Sequence, residues 1–260
     1  GPLPTPEAFA RGFGIHGQSV RLFVEDPMRV SAVAFDLDGL MFDTEALFYR
    51  VSAEALAVRG KTFTPEIMNA MIGRRAIEAA SSLKTLAGLD EPVEDLLAEV
   101  RQRFYAVMDS AVHPTPGLFV LLDHLKRRAL PIAVATSSRR SYADRILTQH
   151  GLRDRFAFVL ASEDVTRGKP DPEIYHLAIQ RFGVAAGSVL VLEDSPAGVA
   201  AAKGAGALTV GVPHEHSPAS ALEAADLIVS RLDDPELIRL IDSHEAEPST
   251  NAAHRPVPPS

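Results

Sequence analysis

Val33-Ala34-Phe35-Asp36-Leu37-Asp38-Gly39 is an apolar run that stops abruptly at two aspartates. A run of this kind, closed by acids and a glycine, reads as a buried strand whose tip delivers carboxylates into a crevice. Successive side chains on a strand point to opposite faces, so Asp36 and Asp38 share a face while the extended geometry lasts, and Leu37 turns away. Gly39 permits a sharp exit from the sheet. Two like charges held that close destabilise each other unless a cation lies between them or one takes up a proton. Taken alone, Asp-x-Asp-Gly also fits a strand-end Asx turn. The rest of the chain decides between the two.

A chain of 260 residues can bury a substantial core as one large domain, or as one domain with a smaller insertion. Hydrophobic residues at 46% and charged residues at 23% are ordinary for a globular protein. Lys and Arg total 26 against 34 Asp and Glu, a net charge of −8, and no basic cluster of five or more residues occurs, so nucleic-acid binding is not expected. An anionic substrate remains compatible with that balance if a metal or a few placed cations overcome the overall field. The absence of cysteine excludes disulfides, thiolate nucleophiles and Cys-ligated zinc. A reducing compartment is permitted, and a cytoplasmic location is expected. Asp123 interrupts Leu118–Leu125 and Glu193 ends Val189–Leu192, so no apolar stretch reaches membrane-spanning length. No basic region followed by an apolar block opens the chain, so no secretory signal is expected. The oligomeric state is left open, a monomer being compatible.

Residues 1–28, with Pro2, Pro4, Pro6 and Pro27 and no sustained period, read as a flexible extension. Leu47, Val51, Ala55 and Val58 follow helical spacing up to Gly60, and Thr64-Pro65-Glu66 is a helix start with Thr64 as cap. From Asp90 onward, Val93, Leu96, Leu97, Val100, Phe104, Val107 and Met108 form one apolar stripe. Residues 46–113 are therefore expected to form an all-helical unit. After His113-Pro114-Thr115-Pro116-Gly117 the pattern becomes alternating helices and short strands, the latter at Ile132–Ala135, Phe158–Ala161, Val189–Leu192 and Leu208–Val212. With Val30–Phe35 this predicts an α/β fold: a Rossmann-like, mostly parallel sheet covered on both faces, with the helical unit inserted after its first strand. The core spans 29–45 and 114–242, where Asp226–Val229 is a candidate edge strand and Pro235–Ile241 a last helix. Residues 243–260 read as a disordered tail.

The strand ends carry residues suited to phosphate chemistry, because ligands of such sheets bind outside the carboxyl ends of the strands. Thr136-Ser137-Ser138 offers hydroxyls and amides at a helix start. Gly168-Lys169-Pro170-Asp171-Pro172 sets a lysine between residues that restrict the backbone, and Glu193-Asp194-Ser195 sets adjacent acids suited to a hard cation such as magnesium. Singly, these are a cap, a surface lysine and helix-start acids. Together they converge on one edge of one sheet.

Phe35-Asp36-Leu37-Asp38-Gly39, Thr136-Ser137, Lys169-Pro170 and Glu193-Asp194-Ser195, in this order, resemble the four motifs of the haloacid dehalogenase superfamily. The resemblance covers roughly residues 30–230, and the helical unit is similar to the cap of the subfamily containing phosphoglycolate phosphatase and beta-phosphoglucomutase. It implies Asp36 as a nucleophile that forms an aspartyl phosphate and Asp38 as acid and base. Thr136 would hydrogen-bond the phosphoryl oxygens, with Ser137 and Gly39 placed among the phosphate-binding residues, and Lys169 would pair with nucleophile and phosphate. Magnesium (Mg2+) would be held by Asp36, the Asp38 main-chain carbonyl and Asp194, with Glu193 direct or one step removed. Arg74 and Arg75 lie where related caps place a specificity loop, and an arginine there could grip a distal anionic group.

The implied activity is a magnesium-dependent phosphatase acting on a small phosphorylated metabolite of the sugar phosphate or phosphoglycolate type. A sugar phosphomutase is the alternative, but mutases of this type carry a histidine where this chain has Phe48, twelve residues after the nucleophile. A receiver-like phospho-acceptor module also joins an acceptor Asp, a hydroxyl, a Lys and magnesium, yet receivers lack a cap and an acid/base residue at the place of Asp38. His214 and His216 read as exposed loop histidines without a role.

Overall fold

The computed structural model describes residues 30–71 and 76–243. The expectations for 1–28 and for the tail beyond 243 lie outside the described residues, as do Arg74 and Arg75.

Five short apolar segments form a sheet because their side chains are apolar on both faces. Ala32–Phe35 (β1), Ile132–Ala135 (β2), Phe158–Leu160 (β3), Val189–Glu193 (β4) and Leu208–Gly211 (β5) are joined by the two-residue edge strand Leu227–Ile228 (β6). All neighbours pair in parallel, in the order β3-β2-β1-β4-β5-β6. Strand parity assigns the faces. Val33, Phe35, Val134, Leu190, Leu192 and Val210 belong to one core cluster, while Ala32, Ala34, Ala135, Val189 and Val191 belong to the other. Each cluster is closed by helices. Leu118–Arg127 (α5), Arg140–Gln149 (α6) and Pro235–Asp242 (α9) cover the larger-residue face, and Glu173–Phe182 (α7) and Pro196–Gly204 (α8) cover the alanine-lined one. The expected strands are found within a residue or two of their read ends. β4 runs one residue further than expected, because Glu193 still pairs with Gly211 of β5 and so stands on the strand itself.

Among the described residues four helices lie between β1 and α5: Glu45–Ala57 (α1), Pro65–Met71 (α2), Ala76–Ala87 (α3) and Val93–Ala111 (α4). The expected Thr64 cap is present, its Oγ1 accepting from Ile67 N at 3.3 Å. Leu96, Leu97, Val100, Phe104 and Met108 bury one stripe of α4 among Leu56, Leu83 and their neighbours. Arg59, just after α1, donates to Glu91 at 2.7 Å and to Glu99 of α4 at 2.6 Å, tying the end of one helix to the start of another. The two connections to this helical unit run side by side: Asp43 N donates to His113 O, and Thr115 N to Met41 O, each at 3.0 Å. Gly117 closes the second connection at φ +90°, where any side chain would collide with Asp233. No helix among the described residues is long and apolar enough to cross a membrane.

Candidate active site

In the order 3-2-1-4-5-6 the chain travels outward from β1 to β3 and then returns to β4, so β1 and β4 flank the point where the winding reverses, and a crevice opens past their carboxyl ends. Asp36 follows β1, Thr136 follows β2 and Asp194 follows β4, so the register alone brings three motif residues together. Asp36 N donates to Leu192 O at 3.1 Å and Thr136 N to Leu160 O at 3.0 Å, extending the ladders by one bond past the strands.

Lys169 is the centre of the buried charges. Its Nζ donates to Asp36 Oδ1 at 2.5 Å, to Glu193 Oε1 at 2.6 Å and to the Ala135 carbonyl at 3.0 Å. Glu193 is fully buried, and both its oxygens are engaged. Tyr175 OH of α7 joins Lys169 on Oε1 at 2.5 Å, and the Asp194 amide and the Ser195 amide and hydroxyl converge on Oε2. A Cβ at Gly198 would overlap the Glu193 carboxylate, so the first turn of α8 has to carry a glycine there. Ser195 also caps α8, accepting from Gly198 N at 3.1 Å.

Asp38 is turned toward α6 rather than toward Lys169. Ser138 Oγ donates to its Oδ2 at 2.6 Å and Tyr142 OH to its Oδ1 at 2.7 Å. Asp36 and Asp38 therefore face one cavity but belong to two different hydrogen-bond networks. The chain leaves extended geometry at Leu37, which is fully buried and accepts from the amides of Met41 and Phe42. Gly39, at φ +84°, sits so close to Asp194 that a side chain would strike its carboxylate. Its amide donates to Phe42 O at 2.9 Å, so that Gly39 serves the turn. Thr136 Oγ1 accepts from Ser138 N at 3.0 Å, so its own O–H remains to donate.

Three buried carboxylates, Asp36, Glu193 and Asp194, face one buried ammonium. Burial, with Glu193 and Asp194 adding to it against the pull of Lys169, pushes the Asp36 carboxyl well above the usual carboxylate range. Burial does the same to Asp194, reinforced by Glu193 and Glu45. Burial alone would lower Lys169, but Asp36 and Glu193 outweigh it and hold the ammonium well above its ordinary range. Burial and the excess of negative charge act together on the two aspartates, and both are relieved by a cation or a proton at the site. Ligand atoms of Asp36, Glu193 and Asp194 within 4.8 Å of one another make a hard divalent cation a good fit.

His214 corrects the reading of that loop as solvent-exposed. Its backbone exchanges hydrogen bonds with Ser217, folding the segment after β5 back over the motif. The half-buried ring places Nε2 3.0 Å from Asp194 Oδ2 and Nδ1 3.5 Å from Glu45 Oε2 at the start of α1, and His216 meets Tyr49 edge-on.

A cavity of about 450 Å³ covers these groups, with Asp36, Asp38, Thr136, Ser137, Lys169 and Asp194 on one side and Phe48, Tyr49, Phe104 and Tyr105 from α1 and α4 on the other. Its lining combines polar and charged groups with aromatic side chains, the composition of a small-molecule site.

The profile of the haloacid dehalogenase-like hydrolases matches residues 33–212. The chain belongs to that family and is an enzyme of it. It is 35% identical over 201 residues to validoxylamine A 7'-phosphate phosphatase of Streptomyces hygroscopicus subsp. limoneus, covering 76% of this chain and 92% of that protein. A phosphorylated carbohydrates phosphatase of Thermotoga maritima is 30% identical over 76% of this chain and 93% of its own length. Among solved structures, CbbY of Rhodobacter sphaeroides in complex with phosphate superposes with a TM-score of 0.69 at 26% identity, over 78% of this chain and 95% of that one.

Proposed function

We propose that this chain is a magnesium-dependent phosphatase that hydrolyses a small phosphorylated metabolite, of the sugar phosphate or phosphoglycolate type, through an aspartyl phosphate on Asp36. The observation that carries the reading is the division of labour between the two aspartates. Asp36 Oδ1 is held by Lys169, which leaves Oδ2 without a donor among the described residues, on a side chain that lines the cavity. Asp38 is held separately, by two hydroxyls. The names of the phosphatase relatives support the class of substrate.

In this reading Asp36 attacks phosphorus, the bond from phosphorus to the ester oxygen breaks, and Asp38 gives its proton to the departing alkoxide. Asp38, now a carboxylate, takes a proton from water. That water attacks the same phosphorus, and the bond to Asp36 breaks to release inorganic phosphate. Ser138 and Tyr142 suit both states of Asp38, since a hydroxyl donates to a carboxylate and can turn to accept from a carboxylic acid. Thr136 donates to a phosphoryl oxygen, and Lys169 fixes the nucleophile while facing the phosphate. Asp36, the Asp38 main-chain carbonyl and Asp194 would hold magnesium, which when bound offsets a repulsion of about 4 kcal/mol per pair of unit charges 4 Å apart at an effective dielectric near 20. Glu193, with both oxygens occupied, acts by holding Lys169 and the Asp194 turn. We take residues 29–45 and 114–242 as the catalytic core and 46–113 as a cap that supplies the far wall of the cavity. Phe48 lies on that wall and has no polar group with which to engage Asp38, which favours hydrolysis over mutase chemistry.

The test is phosphate release from a panel of sugar phosphates, phosphoglycolate and an aryl phosphate. Release is expected to stop with a chelator and to return with added magnesium. Release unchanged in metal-stripped protein would overturn the metal requirement. Tyr142→Phe removes one of the two donors that hold Asp38 and should lower kcat by about tenfold with little change in KM, the size expected for a positioning contact to an acid/base group. A pure KM effect would instead place Tyr142 on the substrate.

A further inference from the structure

His214 takes no part in the proposed steps, yet its ring is built against a metal-binding candidate. Among the described residues it is the one side chain that hydrogen-bonds the Asp194 carboxylate, with Nε2 3.0 Å from Oδ2. The main chain decides which ring nitrogen carries the hydrogen. The amide of His216, which can only donate, lies 3.2 Å from Nδ1, so Nδ1 accepts and the hydrogen sits on Nε2, facing Asp194. The same tautomer accounts for Glu45. Its Oε2 approaches Nδ1 to 3.5 Å but has no hydrogen-bond partner among the described residues, because an accepting nitrogen has nothing to give it.

Three features hold the ring in place. The main chains of His214 and Ser217 exchange hydrogen bonds of 3.1 Å, which closes the turn after β5. His216 meets Tyr49 of α1 edge-on, with centroids 4.7 Å apart, and so anchors the far side of the same turn. Gly39 leaves the space, since a Cβ there would strike the Asp194 carboxylate and come within 3.4 Å of Nε2. Glu45, Asp194 and His214 lie close enough together to suggest a metal site of their own. The tautomer argues otherwise. A histidine ligates through a free lone pair, and here Nδ1 has spent its own on the His216 amide while Nε2 bears a hydrogen.

We infer that His214 is a positioning residue for the metal: by donating from Nε2 to Asp194 Oδ2 it fixes the rotation of that carboxylate and leaves its other oxygen to magnesium. An imidazole in this tautomer does so without a positive charge, so it orders the ligand without competing with the cation for it. The inference rests on the magnesium reading of the site and adds to it a residue from outside the motif strands.

The test is the dissociation constant of magnesium, measured by calorimetry on metal-stripped wild-type protein, His214→Phe and His214→Gln. Both variants lose the acceptor that serves the His216 amide. They differ in that glutamine keeps an N–H near the place of Nε2, whereas phenylalanine keeps only the ring. His214→Phe should bind magnesium about ten- to a hundredfold more weakly, the usual cost of removing the partner of a metal ligand, and His214→Gln should stay within about threefold of wild type. The rise in melting temperature that magnesium produces should shrink in step for His214→Phe alone. Equal affinity in all three proteins would overturn the inference. So would an equal loss in both variants, because packing of the loop would then be the cause. If wild-type protein binds no magnesium, the inference falls together with the metal reading; if wild type binds it and His214→Phe binds it equally well, only the inference falls. Should His214→Phe not fold, His214→Leu also lacks the donor and carries the same expectation.

Discussion

Asp36→Asn should lower turnover by about a thousandfold or more while leaving the fold in place, because the reading makes Asp36 Oδ2 the atom that bonds phosphorus and an amide cannot take that role. The substitution is unusually clean here. Asparagine has the size of aspartate, and its amide oxygen can still accept from Lys169 Nζ, which keeps its bonds to Glu193 and the Ala135 carbonyl. Removing one negative charge also relieves the crowding with Glu193 and Asp194 that raises the Asp36 pKa. The melting temperature without divalent cation should therefore stay level or rise slightly. Steady-state phosphate release and thermal denaturation of the same preparation check both halves. Turnover within about tenfold of wild type would rule out covalent catalysis at Asp36, since loss of a nucleophile costs far more than that. A collapse in melting temperature would mean that Asp36 serves the fold more than the chemistry.

What the sequence revealed and what it hid have a common physical basis. The strands were legible because a segment buried on both faces must be apolar throughout, and its end is marked by the first charged residue, as at Asp36. The α4 stripe was legible because a helix covering a core on one side repeats at 3.6 residues. Asp36, Thr136, Lys169 and Asp194 could be picked out because each sits beside a strand end or between conformationally restricted residues, which is a local signal. The partners of those residues have none. Tyr142 lies 104 residues from Asp38, and Tyr175 lies on the buried face of α7, where an aromatic is ordinary core. His214 follows a strand in a segment with loop composition, and only the turn closed by Ser217 brings its ring to Asp194. Gly39 shows the opposite case. Its residue type correctly announced a sharp turn, yet the destination of its amide depended on Phe42, and no rule of spacing supplies that.

Lys169→Met should both silence the enzyme and destabilise it, and the second effect should depend on divalent cation. Lys169 is the one buried ammonium or guanidinium among the described residues, so its removal leaves the carboxylates of Asp36, Glu193 and Asp194 without that counter-charge in a buried site. Breaking a buried ion pair by removing one partner typically costs about 3–5 kcal/mol. For a chain of this length that corresponds to a fall in melting temperature of about 10 °C, at about 2–4 °C per kcal/mol. The loss should be partly reversible by mass action, because a divalent cation that binds the folded acids and not the unfolded chain restores stability in proportion to its occupancy. Added magnesium should therefore raise the melting temperature of Lys169→Met by more than it raises that of wild type, while activity stays down because the nucleophile has lost the donor that orients it. Glu193→Gln separates charge from packing. It removes one of the acids that crowd Asp36 and keeps an oxygen able to accept from Tyr175 and Lys169, so it should cost less stability than Lys169→Met. If Lys169→Met melts within about 1 °C of wild type, with the same response to magnesium, the buried carboxylates are already neutralised by protons, and the charge excess that favours a metal at this site disappears with it.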